Sequence, residues 1–495
     1  MCDDAGVPGG AESDARQVGT DRVSATGHPV TPTPPSPQQG RRPVVGRVDL
    51  TQGSLLRGIV LLSWPIVAAS LLNWLMGVAD IKMVGYLGPD AIAAVGTSRG
   101  AIFTLMAVIF AISTGTQVLV AHYVGEGRAD RVANVTRQAI ICSIIFGALM
   151  VPLGLWLSEP LLASLGATGS VLRLGTAYMQ VYFWGSIALM LNFMINSALR
   201  GAGDALTPLI LLLGINVAHV VLEWALIFGV GPFPTLGVVG AAWAVVISRS
   251  VAALIMLWVV FSGRFAVAVP PLVPWKLDLA TWGKMFYIGI PSSIQGFTRN
   301  LAYLLLLAIL NHTQAGMYAV SGYTICGQIQ MIGVMVGLAL MSVAMTAVGQ
   351  NMGAGHPGRA ERSGWTVAGV SALCGAVVAA VFIIFGRRLI GFFSQDPQAV
   401  HWGVISLGIL STVLPFTMIG MAFSGGLRGA GDTLSPLWAS LICTSGLGPV
   451  LAYLLAVVLE MGPTGAWLGL AAAIIAQTFV LAAIFRRGKW KTIKL

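Results

Sequence analysis

The sequence predicts an all-α polytopic membrane protein with twelve transmembrane helices in two related halves. Three observations predict it. The first is composition: of 495 residues, 56% are hydrophobic and only 9% charged, and the mean hydropathy is +0.84. Soluble globular domains carry about 25% charged residues. The second is a series of continuous apolar stretches, each near or above the ~20 residues that a helix needs to cross a bilayer. They do not alternate in the ~10-residue units of a membrane β-barrel strand. The third is a repeated phrase. ALRGAGDALTPL at 198–209 and GLRGAGDTLSPL at 426–437 agree at nine of twelve positions, with Arg200 and Arg428 standing 228 apart.

Residues 1–48 differ in kind from the rest. They are rich in Pro, Gly, Ser, Thr and Gln, as in TGHPVTPTPPSPQQGRRPVVG, and show no apolar periodicity. Such a segment cannot bury enough surface to offset its ordering entropy, so a disordered cytoplasmic tail is expected. It also lacks the apolar core of a signal peptide. Twelve apolar segments follow, at 58–84, 92–121, 136–158, 172–199, 206–229, 238–261, 281–310, 316–349, 364–385, 400–427, 434–459 and 463–485. The expected organisation is a first lobe at 49–261, an inter-lobe cytoplasmic linker at 262–280, a second lobe at 281–485 and a basic cytoplasmic C-terminus at 486–495.

Orientation follows from Lys and Arg. Alternate loops hold Arg128, Arg131 and Arg137; Arg200; Arg264, Lys276 and Lys284; Arg359 and Arg362; and Arg428. The C-terminus adds Arg486, Arg487, Lys489, Lys491 and Lys494, whereas the opposite loops hold chiefly Arg173, Arg387 and Arg388. The positive-inside rule places the basic loops and both termini in the cytoplasm, with the chain in the plasma (inner) membrane. The net charge of +10 is spread over these loops and does not suggest nucleic acid. The five cysteines have no metal or redox spacing.

Each repeated phrase follows the fourth segment of a six-segment half. Pro65 in LSWPIV corresponds to Pro291 in IGIPSS, and VAHYVGEGRADR to VGQNMGAGHPGRAER. An even number of crossings gives both halves one orientation, so this is a parallel duplication. Within the phrase the glycines suit a tight turn, and Pro208 and Pro436 suit the first turn of the next helix. Arg200 and Arg428 can meet headgroup phosphates or helix C-terminal carbonyls. GAGD lacks the strand–turn–helix context of a nucleotide site.

At this point the chain resembles the MATE family, the multidrug and toxic compound extrusion transporters, and within it a bacterial, DinF-like branch. The motifs are the two LRGAGD loops, GVADIKMVGYLGPDAIAAVG, the G-x-G-x-x-x-R-like loop after the second segment, and LIFGVGPFPTLGVVGAAWAVVISR. The resemblance covers residues 50–485. It implies two pseudo-symmetric six-helix lobes around a central cleft. It also implies alternating access, and export of cationic, amphipathic organic compounds in exchange for H⁺ or Na⁺. No further cofactor is implied, and a monomer in the bilayer is expected.

Asp80 and Glu223 are the acids well inside apolar segments, and Glu460 sits near the end of segment eleven. A charged carboxylate at the bilayer centre costs about 2.5–3.5 kcal/mol on insertion scales, so such residues are functional candidates by default. The plain alternative for Asp80 is a helix-end residue near the headgroups. The resemblance adds that the family's first helix has an Asp in this motif. His219 precedes Glu223 by one turn and Asn216 by two, which puts the three on one face. The family often has Asn and Asp where His219 and Glu223 stand. Carboxylate and imidazole together suit protons better than a hard cation, although Na⁺ at Asp80, Asn196 and Glu223 stays open. Asn192 and Asn196 lie one turn apart, and Tyr178, 18 residues before Asn196, is five turns away on a continuous helix and would share its face. The alternative for the asparagines is interhelical hydrogen bonding. Asn73 and Met76 fall on the face of Asp80. Val245 stands where the family often has Thr.

The duplication supplies an internal control. Shifting by 228 takes Asn196 to Ser424, His219 to Leu447 and Glu223 to Leu451; shifting by 226 takes Asp80 to Leu306. The second half keeps the plan without the acids. Where some family members have an acid eight residues after the Pro of helix seven, Arg299 stands here, suited to an anionic group or to a pair across the cleft. Gln295, Tyr323, Gln328, Gln330, Met331 and Met335 could line an adaptable substrate surface or simply pack. No metal motif or nucleophile–base signature supports an enzyme. A lipid-linked precursor flippase is the remaining alternative, although Arg299 is the clearest cation available in the cleft for one.

Overall fold

The structure, a computed structural model, describes residues 47–105, 107–270, 275–493 and 495. Its helices, in chain order, are α1 (Leu55–Gly85), α2 (Pro89–Leu105), α3 (Ala107–Gly125), α4 (Ala129–Ser164), α5 (Gly169–Trp184), α6 (Ser186–Gly201), α7 (Leu206–Phe228) and α8 (Val238–Phe261). The second half contains α9 (Leu279–Asn311), α10 (Gly316–Gly353), α11 (Pro357–Phe393), α12 (Pro397–Thr412), α13 (Leu414–Gly429), α14 (Leu434–Ala439), α15 (Gly448–Tyr453) and α16 (Gly462–Arg487). Every apolar segment read from the sequence is helical. Among the described residues, nine helical stretches are individually long and apolar enough to cross a bilayer, counting 434–458 as one, and eleven if each of two bent pairs is one span. Segment two is carried by α2 and α3 on either side of residue 106.

Segments four and ten are broken rather than straight. α5 and α6 meet at Gly185 with a 56° bend, and α12 and α13 at Val413 with a 47° bend. Pro415 removes one helical N–H from the second bend. At the first, the Ser186 hydroxyl at the start of α6 donates across the bend to Phe183 O of α5, 2.6 Å. Segment eleven departs from its counterpart differently: α7 is a regular helix, whereas 434–458 includes π-helical stretches at Ser440–Leu447 and Leu454–Val458. Wider turns change which residues share a face, so the 228 shift loses its phase there.

The halves do not pack as two separate bundles. Ile59, Leu62 and Ile66, in the first half of α1, are buried in a cluster with Val343, Ala347 and Phe423 of the second half. Reciprocally, Met285 and Ile288 of α9 are buried with Ile112, Val118 and Leu119 of α3. Glycines let these backbones touch. A Cβ on Gly125 would lie 2.0 Å from Gln350 O, and one on Gly353 would lie 1.9 Å from His122 O. Position 353 is 125 shifted by 228 and position 350 is 122 shifted by 228, so the two contacts are images of one another. Where helix association relies on close packing, small residues at the crossing are what permit it.

These contacts gather at one end of the bundle, the end that also carries both repeated phrases. Gln117 Nε2 donates to Ser342 Oγ at 2.7 Å and Thr346 Oγ1 at 3.1 Å. Thr346 Oγ1 donates to Arg200 O at 3.0 Å, and Gln350 Nε2 to Gly201 O at 2.9 Å. The two phrases fold alike. Gly203 and Gly431 turn the chain at φ +87° and +93°. Asp204 and Asp432 then accept Thr207 N–H and Ser435 N–H, each at 3.0 Å. Burial pushes the Asp204 carboxyl above the usual carboxylate range.

The expected tail at 1–48 lies outside the described residues up to residue 46, but its last two positions are structured. Val48 N–H donates to Gly203 O at 3.0 Å, and Arg47 bridges Asp204. Leu50 O then accepts Asn351 Nδ2 at 3.1 Å and Arg359 Nε at 3.2 Å. The basic C-terminus also folds back, with Trp490 buried on Phe485, ring centroids 4.8 Å apart, and Lys491 2.7 Å from Glu361.

Candidate functional site: a buried acid–histidine–arginine cluster

Asp80, His219 and Glu223 converge. α1 carries Asp80 five residues before its C-terminus, and α7 presents His219 and Glu223 one turn apart against it. Their exposures are 7%, 6% and 1%. His219 Nε2 lies 3.4 Å from Asp80 Oδ1 and 3.6 Å from Glu223 Oε2. The second Asp80 oxygen is held by Arg99 Nη2 at 2.6 Å, and Arg99 Nη1 also reaches Gly77 O at 3.5 Å. A buried carboxylate is expensive unless paired and hydrogen-bonded; here a guanidinium from α2 supplies the pair. Tyr178, 1% exposed, sits within electrostatic reach of Arg99 and Asp80.

The other side of the imidazole fixes its tautomer. His219 Nδ1 is 2.9 Å from Ser248 Oγ, and Ser248 donates its own proton to Val245 O at 3.1 Å. With that proton given to Val245 O, Ser248 Oγ is placed to accept from an Nδ1–H. Nε2 then faces two carboxylates. Glu223 Oε2 has no hydrogen-bond partner in the described structure. If Nε2 were bare and both acids ionised, three lone-pair bearers would face each other in a dry site. A proton on Nε2 or on a carboxyl would relieve this repulsion, and Nε2 stands 3.4 Å from Asp80 and 3.6 Å from Glu223.

Several expected members stand elsewhere. Asn196 Nδ2 donates to Asn192 O, 2.7 Å, on its own helix. Asn192 donates to Ala188 O and to Arg249 O, both 2.8 Å, and so ties α6 to α8. The shared face expected for Tyr178 and Asn196 is lost because the bend at Gly185 breaks the helical phase between α5 and α6. Asn216 is half-buried, without a recorded bond to the cluster. Asn73 Nδ2 back-bonds to Ala69 O at 3.0 Å, and Met76 is buried at 8% exposure.

In the second half, Gln328 and Met331 are exposed and Gln330 Nε2 is 3.4 Å from Ser411 Oγ. Tyr323 is corrected to a core residue. It is 6% exposed and stacked between Tyr303 and Trp467, centroids 5.6 and 6.4 Å away. Arg299 is exposed. Gln295 accepts from Arg428 and donates to Pro436 O at 3.3 Å. Arg428, expected at headgroups or helix-end carbonyls, is instead 6% exposed inside the half.

Sequence reasoning missed Arg99 and Ser248. Arg99 could have been found from its cost alone: a basic residue within segment two needs a partner, and Asp80 and Glu223 are the acids well inside the apolar segments of that half. Ser248 lay one turn beyond Val245, where a hydroxyl had been sought.

Comparison with known proteins agrees with this architecture. The MatE family model matches residues 65–225 and 291–454, one block in each half. A "Probable multidrug resistance protein NorM" of Thermotoga maritima is 28% identical over 437 residues, 88% of this chain and 92% of that protein. "Probable multidrug resistance protein YpnP" of Bacillus subtilis is 27% identical over 455 residues, 90% and 98% of the respective chains. An outward-facing MATE multidrug resistance transporter superimposes with TM-score 0.83 at 24% identity, over 90% of this chain and 98% of that one. With both halves matched in register with its own duplication, the chain belongs to the MatE family of multi-pass membrane transporters.

Proposed function

We propose that this protein is a proton-coupled antiporter that exports cationic, amphipathic organic compounds across the plasma membrane by alternating access, with its basic loops and both termini in the cytoplasm. The observation that carries the reading is the imidazole between two buried carboxylates, with its far nitrogen committed to Ser248. The cluster can hold or release one proton with little motion. With the cleft open outward, a proton entering the cluster neutralises a carboxylate, loosens its hold on Arg99 and His219, and lowers the attraction for a bound cation. Moving one charge through 100 mV is worth about 2.3 kcal/mol, so one or two protons suffice for useful accumulation. Multidrug resistance in the names of the relatives supports the substrate class.

Sodium coupling is the second reading, because Asp80, His219 and Glu223 offer ligand atoms all within 4.8 Å of one another. Against it, one Asp80 oxygen already binds Arg99, and a hard cation prefers a full oxygen shell to an imidazole nitrogen. The test is dye efflux from liposomes under separate pH and Na⁺ gradients, wild type against Asp80→Asn. Loss of acid-driven efflux in a folded variant is expected. Wild-type efflux by Asp80→Asn sinks the proposal, and efflux abolished by removing Na⁺ at clamped pH selects the second reading.

A further inference from the structure

The second half buries positive charge that nothing in the described structure neutralises. Arg428 is 6% exposed, its Nε has no partner, and its terminal nitrogens meet only Gln295 Oε1 and, at 3.7 Å, Met341 Sδ. Arg299 stands one turn beyond Gln295, the α9 residue that holds Arg428. Residues 281–485 contain four acids: Glu361, Asp396, Asp432 and Glu460. Glu361 pairs with Lys491. Asp396 and Asp432 cap backbone N–H groups at 2.8 and 3.0 Å. Glu460 is exposed in the turn before α16. Arg428 thus sits buried without a carboxylate beside it in the described structure, and exposed Arg299 adds a second positive charge on the adjoining helix; a buried charge left unpaired is strongly unfavourable unless an anion joins it.

The surroundings offer donors rather than acceptors. Ser292, Gln295 and Arg299 lie three and four residues apart on one face of α9, and Ser424 and Arg428 lie one turn apart on α13. The hydroxyls of Ser292 and Ser424 have no partner in the described structure. Gln295 already spends its amide hydrogens on Pro436 O and its oxygen on Arg428, which holds the guanidinium in place and leaves its Nε edge open. A planar fork of N–H donors flanked by hydroxyls matches a carboxylate or a phosphate.

We propose that Arg299 and Arg428, with Ser292 and Ser424, form an anion-binding site in the second half that takes a carboxylate or phosphate oxyanion. The source is either the acidic group of a zwitterionic organic substrate or the phosphate of an anionic lipid headgroup. The substrate version deepens the export reading above: the amine end would go to the acidic first half and the anionic end to the basic second half.

The experiment uses the full chain in phosphatidylcholine vesicles and two dyes with one ring system, a cationic rhodamine ethyl ester and its zwitterionic free acid. Arg299→Gln is the first variant because the exposed residue supports no core. Arg428→Lys keeps the charge and removes the fork. Each variant is expected to weaken free-acid binding about tenfold, near the loss of one charge-assisted contact, and to change ester binding less than twofold. A parallel arm adds phosphatidylglycerol and measures how much copurifies with wild type and variants. Dye discrimination assigns the site to substrate; Arg299-dependent lipid retention without discrimination assigns it to headgroup phosphate. Unchanged dye affinities together with unchanged lipid retention overturn the site. The export reading fails separately, on wild-type efflux by Asp80→Asn.

Discussion

The two halves share a backbone plan and divide the polar work. In the first half, Asp80, Glu223, His219 and Arg99 gather into one nearly neutral cluster. In the second, the residues at the same sequence offsets are Leu306, Leu447 and Leu451, and the buried charge is Arg428. What the duplication has preserved is the close-approach geometry: Gly125 against Gln350 and Gly353 against His122 are reciprocal contacts. Backbone crossings tolerate no added atom, so both copies keep them, whereas a titrating site is needed once and either copy can drop it.

The largest effect that could break this comparison is at Glu223. Glu223→Gln keeps the shape and cannot titrate, so acid-driven efflux should fall to background, whereas Leu451→Gln should leave its pH dependence intact. Efflux measured against a pH series in liposomes decides. Equal pH profiles in the two variants would remove the assignment of coupling to the first half.

A middle-sized effect tests the shared part. Gly125→Ala and Gly353→Ala each place a carbon about 2 Å from a carbonyl oxygen of the other half. Overpacking of this kind costs about 1–3 kcal/mol, and the two variants should cost alike because the contacts are images. Cross-linking of a Gln117→Cys, Thr346→Cys pair reports how closed that end remains; unequal losses would show that the symmetry does not extend to energetics.

The smallest effect concerns the junction. Asp278 accepts Thr281 N–H at 3.1 Å and Thr281 Oγ1–H at 2.7 Å, and caps α9. These bonds, from Thr281 above all, hold its carboxyl below the ordinary value of 3.8. A lowered carboxylate stabilises the fold above its unfolded value, and that contribution is lost as pH falls through the folded one. Asp278→Ala should cost about 1 kcal/mol at neutral pH, with the difference from wild type shrinking in strong acid, as read by thermal unfolding in detergent.

Much of the fold was legible because crossing a bilayer imposes a length and an apolar composition that few other constraints disturb. The Asp80 and Glu223 candidates were legible for the same reason, since charge in apolar surroundings stands out. Arg99 was not singled out because its partner lies 19 residues away on another helix, and spacing along one helix cannot reveal that. The common helical face of Tyr178 and Asn196 rested on one continuous helix, and the axis turns by 56° at Gly185, which a spacing count along the sequence does not reveal. Tyr323 reads as an amphipathic lining residue until its two aromatic neighbours, from other parts of α9 and α16, are in place.

The residues just before α1 impose an order of events. Val48 is bonded to Gly203 of the first half, and Leu50, two residues on, to Asn351 and Arg359 of the second. A stretch this short cannot lengthen, so the halves cannot part at this end while both anchors hold. One anchor must let go first, and each hydrogen bond contributes about 1 kcal/mol. A short stitch of this kind has little influence on how far the halves finally separate, but it sets a toll on the first ångström of movement. Untying it should therefore speed the opening step and shift the resting proportions toward the parted state together.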